Sequence, residues 1–126
     1  MSLYVQYSAV LHVPHYQVMS WPCEDAPPEP LSRQLHREWW RAERELARYL
    51  ASVGEAGRAR GAGGFLFTHK PVFLPRCGDC ADLPEGNPEV YSDWWQMRAA
   101  LADYPGWVAT GDLTVFCPHH RPSWEY

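Results

Sequence analysis

The chain has no run of about 18 apolar residues, so nothing in it reads as a membrane-spanning helix. Its beginning, Met1-Ser2-Leu3-Tyr4-Val5-Gln6-Tyr7, has no charged stretch ahead of an apolar core and predicts no export signal. Positive charge is not in excess: 11 Lys and Arg stand against 15 Asp and Glu, a net of −4. Proteins that coat nucleic acid are basic overall, so that class is disfavoured, although a local basic face is compatible with the total. Cysteine is scarce, with 4 in 126 residues. Without an export signal the expected location is the cytoplasm and the thiols are expected to be reduced. A C-x-x-C pair then reads as metal-binding or redox rather than as a structural disulfide. No Ser–His–Asp order or paired-carboxylate site stands out, and the chain reads as non-enzymatic.

What is present is apolar and aromatic. Hydrophobic residues make up 46%, with 7 Trp and 7 Tyr, enough to drive folding of one domain or of one domain built from two small halves. Leu3, Val5, Tyr7, Ala9, Leu11 and Val13 alternate with Gln6, Ser8 and His12, the pattern of a half-buried strand. Pro14 interrupts it, and Tyr16 to Trp21 resumes as its expected partner. Pro22, Pro27, Pro28 and Pro30 make the next stretch an extended acidic loop. From Ser32 as N-cap to Gly54 as C-cap, Leu35, Trp39, Ala42, Leu46, Tyr49 and Val53 form one apolar helical stripe. The glycine-rich stretch 54–64 follows a helix and precedes a strand, the wrong order for a phosphate cradle, and reads as a mobile connector. Strands are expected at Phe65–His69, Val72–Pro75 and Leu113–Phe116. A second helix capped by Ser92 should share Trp94, Met97, Leu101 and Tyr104 on one face. Glu38-Trp39-Trp40 and Asp93-Trp94-Trp95 echo each other, as a duplication or as recurring amphipathic helices would.

The chemistry concentrates in Cys77-Gly78-Asp79-Cys80 and Cys117-Pro118-His119-His120. Each pair presents two donors from a short turn, and two such turns close a tetrahedron, the geometry of Zn2+. Gly78 suits a tight first turn and Pro118 stiffens the second. One zinc held by Cys77, Cys80, Cys117 and His120 has no open position, so it would be structural. His119 is the alternative fourth ligand. The competing readings are buried free thiols beside a surface histidine, or a redox pair. A redox cysteine usually begins a helix, whereas Ala81-Asp82-Leu83-Pro84 follows Cys80. Cys23 is too distant in sequence to assign and is read as buried.

These motifs, with Pro105-Gly106-Trp107 between them, resemble small bacterial and phage zinc-ribbon-like proteins: a CxxC knuckle, a helix ending at Gly-Trp, a strand, and a closing Cys-Pro-x-Cys or Cys-Pro-x-His. The resemblance covers the C-terminal half and leaves Ser2 to Lys70 unexplained. Its ligand pattern is specific for metal and not for function. The expected fold is α+β: a small, mostly antiparallel sheet with two helices. Residues 1–70 form a strand–strand–helix–strand half and residues 71–126 a zinc-ribbon-like half, together one compact unit.

Three functions compete. His36 and Glu38 ahead of Cys77 and Cys80 imitate the H-x-E…C-x-x-C set of zinc deaminases. The imitation lacks a proline directly before Cys77 and a helix after Cys80, and leaves Cys117 and His120 idle. Arg33, Arg37, Arg41, Arg44 and Arg48 with Trp40 make a stripe that nucleic acid could use. Glu38 and Glu45 lie at ion-pair spacing from Arg41, and Glu45 from Arg48, which predicts a salt-bridged solvent face. Neighbours on a helix lie about 100° apart, so one Trp of each pair, Trp39-Trp40 and Trp94-Trp95, must lie nearer the surface. Such aromatics favour a protein partner or self-association. A metal-stabilised interaction or accessory protein is the preferred reading, ahead of a nucleic-acid-binding regulator.

Overall fold

The computed structural model describes residues 7–86 and 89–120; Leu3 and Val5 of the expected first strand lie outside them. The architecture is α+β, with two helices and small antiparallel sheets. It divides into two compact units, Val13–Lys70 and a second made of residues 7–12 with residues 71–120. Among the described residues, no helix is long and apolar enough to cross a membrane.

In the Val13–Lys70 unit, β2 (His15–Trp21) is the centre of a three-stranded sheet, numbered after the short β1 (Val10–Leu11) described below. One edge of β2 pairs along its length with β4 (Gly63–His69), from His15 opposite His69 to Trp21 opposite Gly63. The other edge takes β3 (Glu29–Pro30), so the proline-rich stretch ends in a short strand rather than staying a free loop. α1 (Trp39–Ala59) packs on one face, where Leu46 lies over Gly64 and Val18 is fully buried. The opposite face carries Trp21 tilted against Phe65, and Phe67 against His69.

The helix begins six positions later than an N-cap at Ser32 predicts, and the sheet is the reason. Leu31 donates its amide to Val18, and His36 exchanges both backbone hydrogen bonds with Tyr16, so this stretch runs along the open edge of β2. Edge pairing satisfies those backbone groups as well as a helix would. The Gln17 side chain donates to the Ser32 carbonyl, and the Ser32 hydroxyl donates to Glu45 of α1. Ser32 therefore anchors α1 from the side instead of capping it; Glu38 stands at the N-cap with no side-chain cap. At the far end Gly54 takes φ 66° and breaks the helix, which a chiral residue would do only at a cost. A further turn then continues to Ala59, so the glycine-rich stretch is not a loose connector: Gly63 and Gly64 already belong to β4.

In the other unit, β1 pairs antiparallel with β5 (Val72–Phe73), Val10 opposite Phe73. The alternating first segment contributes only two residues of strand within the described chain, and its partner is β5, not β2. Partner choice is non-local, and period-two alternation reports only that a segment is half buried. α2 (Trp94–Leu101) buries Trp94, Met97 and Leu101 against Ala9 and Val115, with Phe73, Tyr104 and Trp107 packed around them. Its cap is Asp93, whose carboxylate accepts from the Trp95 amide, one residue beyond the expected Ser92. The hairpin β6 (Val108–Ala109) and β7 (Val115–Phe116) completes the unit.

Candidate metal centre

Strand β7 brings the two ligand turns together. Its Val115 bridges to Cys77 in parallel and accepts the Gly78 amide at 2.7 Å, while Gly78 in turn accepts the Tyr7 amide. The first turn closes with the Ala81 amide on the Cys77 carbonyl and the Cys77 amide on Asp82, each at 2.9 Å. Cys117 lies two residues after Val115, and the His120 amide closes the second turn on its carbonyl at 3.1 Å. Gly106, at φ 85°, lets Pro118 pack directly on the backbone: a Cβ there would sit 2.8 Å from the proline ring. The Pro-Gly-Trp stop of the second helix is thus also the floor of the second ligand turn.

The donor atoms of Cys77, Cys80, Cys117 and His120 all lie within 4.8 Å of one another, a set that could hold a metal ion. Cys80 Sγ and Cys117 Sγ are 3.8 Å apart, and His120 Nδ1 is 3.0 Å from Cys117 Sγ. Sulfurs on a tetrahedral zinc at about 2.3 Å would be about 3.8 Å apart. Cys77 and Cys117 are buried, His120 is half-buried and Cys80 is exposed. Burial works to raise the Cys77 thiol, yet hydrogen bonding to the backbone of Cys117, Cys80 and Asp79 outweighs it and the net shift is downward. Burial pushes the Cys117 thiol up to about 11, and the neighbouring Cys77 and Cys80 add to the rise. Clustered thiols resist ionising together without a cation among them.

No protein family, curated protein or solved structure matches the chain.

The remaining candidates are not drawn into the cluster. His119 is exposed and is not among the four donors. His36 is buried with Nε2 3.3 Å from the Glu45 carboxylate, and Glu38 pairs with Arg41 at 3.5 Å, so the deaminase-like pair is engaged elsewhere. Cys23 is half-buried. The arginine stripe also departs from expectation. Glu45 turns inward to His36 and Ser32, so Arg41–Glu38 is the stripe's one ion pair among the described residues. Arg41 and Arg44 instead stack on Trp40, at 4.9 and 5.2 Å from its ring centroid. Asp79 is a functional candidate that the sequence pattern does not single out. Its carboxylate lies 3.2 Å from His120 Nε2, and the only sequence signal for it is an acid between the two cysteines of the first turn.

Proposed function

We propose that the chain is a non-enzymatic interaction or accessory protein whose C-terminal unit is stabilised by one structural Zn2+. The convergence of four Cys and His donors within 4.8 Å carries this reading. Three thiolates and an imidazole are a zinc donor set, and four protein ligands leave no position for water or substrate. The partner-binding side rests on exposed aromatics: Trp95 on α2 is 67% exposed, and Trp39 and Trp40 on α1 are exposed together. The resemblance to zinc-ribbon-like proteins agrees with this, since such modules use metal for folding.

Metal analysis of protein purified without chelator should find one zinc per chain, and cobalt substitution should give a tetrahedral thiolate spectrum. Metal-free protein that melts the same with and without EDTA would reduce the cysteines to buried thiols. For the partner, capture from native lysate after nuclease treatment should return a defined protein that Trp95→Ala or Trp40→Ala loses.

A second reading draws on the arginine stripe. Arg44 and Arg48 have no acidic partner among the described residues, and Trp40 offers a stacking surface beside them, a combination that single-stranded nucleic acid uses. The net charge of −4 weighs against it. A salt-sensitive shift of an oligonucleotide at submicromolar protein, lost in the Arg44→Ala/Arg48→Ala double variant, would establish it over the first reading.

A further inference from the structure

The ring of His120 is held at both nitrogens. Nδ1 faces the Cys117 sulfur at 3.0 Å, and Nε2, on the far side of the ring, meets the Asp79 carboxylate at 3.2 Å. Asp79 also reaches the site through its backbone, donating its amide to Cys77 Sγ at 3.4 Å. One residue therefore touches a ligand of the first turn with its main chain and the ligand of the second with its side chain. A neutral imidazole carries a single N–H, and the nitrogen without it must be the donor. A carboxylate at Nε2 keeps the proton there and leaves the Nδ1 lone pair facing the cysteines. The negative charge beside the N–H also makes Nδ1 a better metal ligand. His119, one residue earlier and exposed, has no such partner among the described residues.

We propose that Asp79 is the positioning residue of the metal site: it selects His120 over His119, fixes its Nδ1 as the donor, and ties the two ligand turns together. This rests on the metal-site reading above. The contact requires no metal, so the ring is oriented before an ion arrives. Less ordering is then left to be done on binding.

The test compares wild type, Asp79→Ala and Asp79→Asn. Zinc affinity is measured by competition with a chromophoric chelator, and the histidine ring nitrogens of the zinc-loaded proteins are read by long-range proton–nitrogen correlation. Outer carboxylates of this kind are worth about 10–100-fold in affinity. Asp79→Ala should weaken zinc by that order, and Asp79→Asn, which still accepts from Nε2–H, should recover part of the loss. Zinc-saturated circular dichroism should be the same for all three. Wild-type spectra should show His120 with Nε2 protonated and Nδ1 shifted by metal. Asp79→Ala binding zinc as tightly as wild type, or a wild-type His120 ligating through Nε2, overturns the role of Asp79 while the site stands. Wild type that binds no zinc overturns the site and this inference with it. Because the ring assignment is made on wild type, the idea can be refuted even if a variant fails to fold.

Discussion

Trp94 and Trp95 are neighbours with opposite surroundings, 7% and 67% exposed. Helical geometry forbids both from facing the core, and that much is legible in the sequence. Trp39 and Trp40 follow the same geometry to a different result: both are exposed, because small Ala42 takes the buried position of that turn. Periodicity identifies a face but not which of its residues reaches the core. Trp94→Ala should cost about 3–5 kcal/mol, as large core truncations do, whereas Trp95→Ala should stay within about 0.5 kcal/mol; urea denaturation of the two variants measures both. His69 offers a residue-level pH test. Burial holds its imidazole below the ordinary value of 6.5, and its Nε2–H donates to Gln17 at 2.8 Å. The unfolded chain then binds a proton more readily than the folded one. The contribution is fully present above about pH 6.5 and is lost as the pH falls toward the folded value. Between pH 7.5 and 5.5, the urea midpoint of wild type should fall further than that of His69→Gln; equal falls would remove His69 from the acid response.

At the scale of elements, what could be read from sequence was what is local. The two ligand turns are encoded by donors with two residues between them, and each closes on its own first carbonyl, so spacing is enough. The start of α1 depended on an edge of β2 that lies about twenty residues earlier, and Ser32, an apt cap by type, was taken by that edge. The caps can be told apart by mutation. Asp93→Ala removes a side chain that accepts the Trp95 amide and should cost about 1 kcal/mol, within the usual range for a lost N-cap. Ser32→Ala removes the contact to Glu45 and should leave α1 starting at Trp39, visible as unchanged amide shifts from Trp39 through Ala42. Gly106→Ala meets both a positive φ and the Pro118 ring, and about 1–3 kcal/mol of strain is expected. Since that ring belongs to the second ligand turn, zinc affinity should drop along with stability, as chelator competition would show.

The whole molecule joins units with different means of support. Val13–Lys70 has seven-residue strands paired along their full length and a long helix packed on the sheet. The unit of residues 7–12 and 71–120 has two-residue strands, one eight-residue helix, and a core centred on Ala9, Trp94, Met97, Leu101 and Val115. Its two-residue ladders close few backbone hydrogen bonds, so much of its chain is loop whose ordering entropy must be offset in another way. Structural zinc is worth about 10–16 kcal/mol in zinc-finger peptides, more than many whole domains hold in net stability. Chelation should therefore act unevenly. Under EDTA, amides of α2, β6 and β7 should lose hydrogen-exchange protection by orders of magnitude, while those of β2, β4 and α1 keep most of theirs. Cys80→Ala should reproduce the same pattern without chelator. The effect should also depend on pH, because metal must displace the proton of Cys117, whose thiol burial raises to about 11. Zinc affinity, measured by competition and corrected for the chelator's own protonation, should climb by about tenfold per pH unit for each proton displaced between pH 6 and pH 8. Loss of protection spread evenly over both units, or none in either, would mean that the cluster does not hold up its own half of the chain.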